Sequence, residues 1–311
     1  SRKITLSFIS FIVSLSLCLI LGEWLLRSYG LGDPIIYYQD AAYGYALEPS
    51  QKSVRLRNSV ITINESGLRS QDNWDLAKGK RILFMGDSVT YGGSYVDDSE
   101  IFSTLVCGYI PDSTCGNAGV NGYGVLNMVL RSRVDHRLDK ADIVIFTVVP
   151  GDFTRGLTTI SHVPYYVGKP SGWVHTKLPA FMELLNHVGY SYSLGGAISK
   201  SKNNFSKDTQ DHSIEATRFA LDQLFEEIGR LESNDKDVFV FLSPDKEDIS
   251  FENKVSAMIH LELQRRLGSR YLPGTFMDED RFYYDNVHYE VDGHQQAAAK
   301  ISEFIIEMLF E

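Results

Sequence analysis

Hydrophobic positions fall along this chain in three regimes. The first is unbroken: from Ile4 to Gly22 no charged residue interrupts a run of Leu, Ile, Phe, Val and Ser, with Arg2 and Lys3 ahead of it and Glu23 closing it. At about 1.5 Å of helical rise per residue, such a run reaches across a hydrocarbon layer roughly 30 Å thick, and a transmembrane helix is predicted over residues 4–27. The second regime, residues 28–78, is aromatic and turn-rich. Its short stretches Val54-Arg55-Leu56-Arg57 and Val60-Ile61-Thr62-Ile63 alternate and read as small strands.

The third regime, residues 79–311, alternates short continuous apolar runs with amphipathic ones. Arg81-Ile82-Leu83-Phe84-Met85 ends at Gly86, and Asp142–Val149 and Asp237–Leu242 repeat the same form, that of strands buried on both faces. Helical patterns cover Glu100–Tyr109, Val125–Leu138, Ile214–Leu231, Asn253–Leu267 and Gly293–Phe310, the last with Ala297, Ile301, Phe304, Ile305 and Met308 on one face. Strands alternating with helices of this length predict an α/β domain, a mostly parallel sheet with helices on both faces. Residues 153–211 break the alternation. They begin loop-like with His162, Tyr165, Tyr166 and Trp173, turn helical near Leu178–Val188 and end in a polar run, which reads as an insertion over the carboxyl edge of the sheet.

Composition narrows the class. With 43% apolar and 23% charged residues in 311, and only 9 Pro, the chain is neither disordered nor collagen-like, and it is long enough to bury a core without metals or cross-links. A formal charge of −10 offers no electrostatic footprint for nucleic acid.

The cationic flank predicts a cytoplasmic N-terminus at residues 1–3, with everything after the span outside the cytoplasm. A cleaved signal peptide is the competing reading. No small-x-small site follows the run, however, and Trp24, Leu25 and Leu26 carry the apolar face on, so an uncleaved single-pass anchor is expected. Ser7, Ser10 and Ser14 share a helical face on which a membrane protein partner could approach closely. Cys107 and Cys115 flank a Pro-Asp-Ser turn and either close a short loop, as an oxidising compartment favours, or stay as two buried thiols. No Cys or His pair has metal-ligand spacing, and no metal or cofactor is expected.

Two segments could carry chemistry. Gly86-Asp87-Ser88 follows the first sheet strand directly, and reactive groups in open α/β sheets gather at the carboxyl ends of strands, although Asp87 or Ser88 alone could simply cap the next helix. Asp285-Asn286-Val287-His288 precedes the last helix. An Asp three residues ahead of a His can hold the imidazole by its Nδ1 hydrogen and leave Nε2 free to take a serine proton. The alternative is a surface turn with a solvated His. Asp292 and His294 form a shorter pair, read more simply as capping or packing residues.

These blocks resemble those of the SGNH hydrolases, the GDSL esterase and lipase superfamily, and especially its membrane-anchored extracytoplasmic bacterial members. The resemblance covers the chain from about Ile63 onward. Asn64–Ser70 is similar to their lead-in, Arg81–Gly92 to the nucleophile block, Asn117–Gly124 to the second block, and Asp285–Gly293 to the last. It implies a flavodoxin-like three-layer α/β/α sandwich, with Ser88 as nucleophile, His288 as base, Asp285 as its orienting carboxylate, and the backbone N–H groups of Ser88 and Gly122 as oxyanion donors. One block departs. Where the family has Gly-x-Asn-Asp, this chain has Val149-Pro150-Gly151-Asp152, so Gly151 replaces the Asn whose side chain gives the third oxyanion hydrogen bond. Losing one such donor costs about 100- to 1000-fold in rate unless another group substitutes, for which Asn121, Thr154 and the Gly151 N–H are candidates. Asp87, Asn121, Asp152, Tyr165 and Trp173 complete the expected substrate-binding set; packing of the insertion's aromatics into a small core of their own is the competing reading.

The expectation is a serine esterase, anchored in a bacterial inner membrane with its catalytic domain in the periplasm or outside. It would remove ester-linked acyl groups, O-acetyl in particular, from an envelope carbohydrate, glycolipid or lipid ester. The same triad could transfer the acyl group to a sugar hydroxyl, and a degenerate, non-catalytic scaffold is the reading from another class.

Overall fold

Strand β5 (Lys80–Gly86) is buried along nearly its whole length, and its alternate side chains enter two separate cores. Leu83 and Met85 pack on one side of the sheet, Ile82 and Phe84 on the other. The same holds for β7 (Ile143–Val148) and β9 (Asp237–Leu242), which is why all three appear in the sequence as continuous apolar runs. The computed structural model describes residues 2–160, 166–168, 171–189 and 207–310.

Two edge strands complete the sheet: β6 (Ser113–Asn117) beside β5, and β10 (Tyr271–Pro273) beside β9. All pairings are parallel and the order is β6-β5-β7-β9-β10. Counted within the sheet this is 2-1-3-4-5, the flavodoxin-like order, whose topological switch point lies between β5 and β7. Helices α4 (Val125–Val134), α7 (Lys207–Glu232) and α8 (Lys254–Leu267) cover one face, through residues such as Met128, Leu224 and Ile259. On the other lie α3 (Phe102–Tyr109) and α9 (Val291–Phe310), through Phe102, Val106 and Ile301. The expected α/β/α layering is present.

The differences from expectation are local. Neither edge strand was predicted, because each is paired on one side only and is short or polar. Val54–Arg57 is not a strand: β3 (Gln51–Val54) ends there and pairs with β4 (Val60–Ile63), and the chain turns through Leu56–Asn58 with Arg57 and Asn58 at positive φ. The predicted helix Val125–Leu138 stops at Val134, where Asp135 leaves the helical region and a short 3-10 turn follows. Residues 28–78 do not stand apart, since Tyr37, Tyr45, Ile61 and Trp74 pack into the same core as the sheet. Cys107 and Cys115 are bonded, tying α3 to β6.

Helix α1 (Arg2–Ser28) contains a stretch, Thr5–Ser28, long and apolar enough to cross a membrane, and an 18-residue window of it is unburied by the rest of the chain. Its last turns are nevertheless tied down. The Glu23 carboxylate accepts the N–H groups of Ala180 at 3.1 Å and Phe181 at 3.0 Å, the first turn of α6 (179–189), where the helix's orphan donors and dipole favour an anion.

Candidate active site

The turn from β5 into α2 (Ser88–Tyr91) puts a serine at the switch point. Gly86 is required there: a Cβ on it would stand 1.9 Å from Thr90 Oγ1 and 2.5 Å from the Thr147 carbonyl. Asp87 is the N-cap, its Oδ1 accepting the Val89 N–H at 2.8 Å. Ser88 is the first helical residue, so its N–H is one of the donors no carbonyl within the helix can take.

Asp285 and His288 meet Ser88 from a tight turn ahead of α9. Asp285 Oδ1 accepts the N–H groups of Val287 and His288, each at 2.9 Å, which folds the turn. Its Oδ2 lies 2.7 Å from His288 Nδ1, and His288 Nε2 lies 2.8 Å from Ser88 Oγ. A carboxylate only accepts, so the Nδ1 hydrogen goes to Asp285 and Nε2 is left to accept the serine hydroxyl proton. Partial burial works upward on Asp285, but the N–H groups of His288 and Val287 and the imidazole outweigh it and hold the carboxyl below its usual value. Serine and histidine are 200 positions apart in sequence. His294 has no part in this: it is fully buried, stacks on Phe102 and accepts the Phe102 N–H at 3.2 Å, and burial pushes its pKa down to about 3.

Gly122 sits at φ +79° in a turn closed by the Tyr123 N–H on the Val120 carbonyl, so its own N–H is not spent on the turn. Asn121 lines a cavity of about 260 Å³ together with Asp285 and His288, and its amide donates to Tyr37 Oη at 2.7 Å. Of the remaining walls, only Tyr166 stood among the insertion aromatics that the sequence offered as substrate contacts. These walls come from Tyr37 of β1 (Ile36–Asp40), from Tyr91 and Tyr95, from Tyr166 of β8 (Tyr166–Val167), from Glu183 and His187 of α6, and from Tyr284. Tyr95 and Tyr284 stack at 4.1 Å with the Arg57 guanidinium over both rings. A wider cleft of about 880 Å³ beside the exit of α1 shares Pro34 and Tyr166 with this cavity but contains none of the triad.

Several expected substrate contacts lie elsewhere. Trp173 is 74% exposed on the one-turn helix α5 (Trp173–Lys177), off the cavity wall and outside any aromatic core. Asp87 and Asp152 are buried, their oxygens turned to protein donors: Asp152 Oδ2 accepts the Val149 N–H at 3.0 Å and Oδ1 takes Arg155 Nη1 at 2.7 Å. Burial and the neighbouring Asp87 push the Asp152 carboxyl well above the usual range, against Arg155. Tyr165, His162 and the polar run over 190–206 lie outside the described residues. Thr154, one candidate substitute for the missing Asn, donates its hydroxyl to the Gly151 carbonyl at 3.0 Å. Among the described residues no cluster of His, Cys, Asp or Glu is arranged to hold a metal.

No family model matches the chain, and no curated protein matches it. Solved structures do. A member of the lipolytic G-D-S-L family from Veillonella parvula is 12% identical, covering 72% of this chain and 97% of its own, with a TM-score of 0.41. A lipase/acylhydrolase from Enterococcus faecalis is 16% identical over 74% of this chain and 96% of its own, with a TM-score of 0.43. An acetylxylan esterase from Geobacillus stearothermophilus, in a catalytic mutant, is 14% identical over 74% and 95%, also at 0.43.

Proposed function

We propose that this chain is a serine ester hydrolase of the SGNH kind, anchored in a membrane by α1, that removes short acyl groups from an envelope carbohydrate or glycolipid. The observation that carries the reading is the chain of contacts from Ser88 Oγ to His288 Nε2 and from His288 Nδ1 to Asp285, at 2.8 and 2.7 Å. A serine hydroxyl is too weak an acid to attack an ester unaided, and a positioned imidazole with an oriented tautomer supplies the missing base.

In the proposed reaction Ser88 Oγ bonds to the ester carbonyl carbon as its proton passes to His288 Nε2, and the carbonyl π pair moves onto oxygen. Asp285 stays a carboxylate and stabilises the imidazolium. Collapse of the tetrahedral intermediate breaks the bond to the alcohol, which leaves with the proton from His288. Water, deprotonated by His288, then releases the acid and restores Ser88. The backbone N–H groups of Ser88 and Gly122 are the proposed oxyanion donors.

Cavity size and position support the substrate class. About 260 Å³ is at the small end for ligand sites and suits a sugar ring or short acyl group better than a long chain. The cavity wall is also tied to the anchor. Glu183 pairs with buried Arg55 and accepts the Gly32 N–H at 2.7 Å, while the same helix is capped by Glu23 of α1. The Cys107–Cys115 bond fits an oxidising compartment outside the cytoplasm.

The test is turnover of a small acetyl ester by the detergent-solubilised full chain and by Ser88→Ala, alongside intact-mass detection of a fluorophosphonate adduct. Wild type turns over and takes one adduct, and Ser88→Ala does neither. Equal rates in both proteins, with no adduct in either, would sink the catalytic reading in favour of a scaffold.

A further inference from the structure

Arg155 sits where three strand-end segments converge, and no catalytic motif singles it out. Its Nη1 donates to Asp87 Oδ2 at 3.1 Å, to the Tyr123 carbonyl at 2.8 Å and to Asp152 Oδ1 at 2.7 Å. Those acceptors are the chain neighbours of Ser88, Gly122 and Gly151, the three positions around which the proposed oxyanion hole is built. Asp87 Oδ2 is shared: it lies 3.4 Å from Ser88 Oγ as well, so serine and guanidinium touch the same oxygen.

One nitrogen of Arg155 is thus fully committed, and Nη2 makes no hydrogen bond among the described residues. Among the described residues, and apart from its own chain neighbours, that nitrogen is also the atom that borders the side-chain space of Gly151. A Cβ built on Gly151 would stand 3.6 Å from Arg155 Nη2, with no other described residue beyond its local backbone inside 4 Å. The guanidinium borders the room that an Asn side chain at position 151 would use. Of the other candidates the two side chains are engaged, Thr154 with the Gly151 carbonyl and Asn121 with Tyr37, which leaves the Gly151 N–H as a backbone donor beside the guanidinium.

We propose that Arg155 replaces the missing asparagine: Nη1 fixes the guanidinium on the backbone framework of the hole, and Nη2 donates to the oxyanion when Ser88 attacks. The inference rests on the esterase reading above. A charged donor in a partly buried site stabilises a developing anion more strongly than a neutral amide, and its planar fork lets one arm be anchored while the other acts. It also explains how Gly151 is tolerated at that position.

The experiment compares kcat and KM for a small acetyl ester, and the rate constant of fluorophosphonate labelling, in wild type, Arg155→Lys, Gly151→Asn and the double variant. Lysine keeps a cation for Asp87 and Asp152 but has a single nitrogen, which can hold the anchor or reach the oxyanion and not both. The expected result for Arg155→Lys is a loss of about 100- to 1000-fold in kcat with KM little changed, and a matching loss in labelling rate. Adding Gly151→Asn to Arg155→Lys restores at least tenfold. Gly151→Asn alone gains less than tenfold, since the donor it adds is already supplied. Retention of wild-type kcat in Arg155→Lys, or a slow Arg155→Lys that Gly151→Asn fails to restore, overturns the proposal and leaves Arg155 a structural ion-pair anchor. If Arg155→Lys does not fold, Gly151→Asn decides alone, because a hundredfold gain would mean that the wild-type hole lacks a donor. Failure of the esterase reading looks different: wild type itself neither turns over nor labels.

Discussion

Replacing Asp285 by Asn separates the orientation of His288 from the folding of its turn. Asn keeps an oxygen at the position that accepts the N–H groups of Val287 and His288, so the turn survives. What changes is the group facing Nδ1. An amide NH₂ there can only donate, which forces the imidazole proton onto Nε2 and leaves nothing to take the proton of Ser88. The electrostatic part follows from geometry. A carboxylate and an imidazolium about 4 Å apart between centres attract by about 4 kcal/mol at an effective dielectric of 20 and about 1 kcal/mol in water. Asp285 is 46% exposed at its side chain, so the value lies toward the lower end of that range. Together with the wrong tautomer, the expected loss in kcat is about 100- to 10,000-fold, with KM little changed. The assay is steady-state hydrolysis of a small acetyl ester, with circular dichroism to confirm the fold. A loss under tenfold in folded protein would refute the idea that Asp285 sets the tautomer.

Two other predictions concern the frame around the site. Arg69 is completely buried and donates to Asp98 at 2.9 Å and to the carbonyls of Tyr91 and Gly93 at 2.7 Å, holding the segment that follows the serine helix. Arg69→Met strands a buried carboxylate and should cost about 3–5 kcal/mol in urea unfolding, partly recovered by adding Asp98→Asn; a cost under about 1 kcal/mol would contradict the assignment. At Glu183, burial works upward, but His187, Arg55 and the Gly32 N–H win and bring the pKa from 4.5 down to about 2. A depressed carboxylate stabilises fully above its unfolded value and loses that contribution as the pH falls, so thermal stability should drop between about pH 4.5 and 2. Glu183→Gln should flatten that part of the profile, which is worth on the order of 3 kcal/mol.

What was legible in the sequence follows from where each signal is stored. Strands β5, β7 and β9 have both faces buried, so each one announces itself without reference to a partner. Strand β6 does not: its Gly116 is small because Leu68 and Trp74 press on it, a requirement set by residues distant in the chain. The meeting of Ser88 with His288 and Asp285 could be read ahead because Asp285 and His288 form one local turn and Ser88 follows a strand that ends at a glycine. The cavity was not, since Tyr37, Tyr95 and Glu183 reach it from three separate segments with no pattern of their own. Trp173 misled because an aromatic residue in an insertion says nothing about which way a single helical turn faces. Arg155 was hidden for a related reason. Only its bond to Asp152 is local; those to Asp87 and Tyr123 exist once the strands have been brought side by side.

If α1 spans a membrane as proposed, the same folding puts the proposed chemistry beside it. Glu23 belongs to the helix that the sequence reads as the span, yet its carboxylate caps α6, and one turn further along α6 Glu183 forms part of the cavity wall. Gly32, just past the end of α1, donates to that same Glu183. A long flexible tether would let the site sample the compartment at large, whereas these contacts fix the wall of the cavity within a few residues of the end of α1, the proposed anchor. A soluble ester would gain nothing from that arrangement. A substrate held at the bilayer surface, with its acyl group presented at the height of α6, would meet the serine already confined to the right depth, and part of the entropic cost of bringing the two together would be removed before binding.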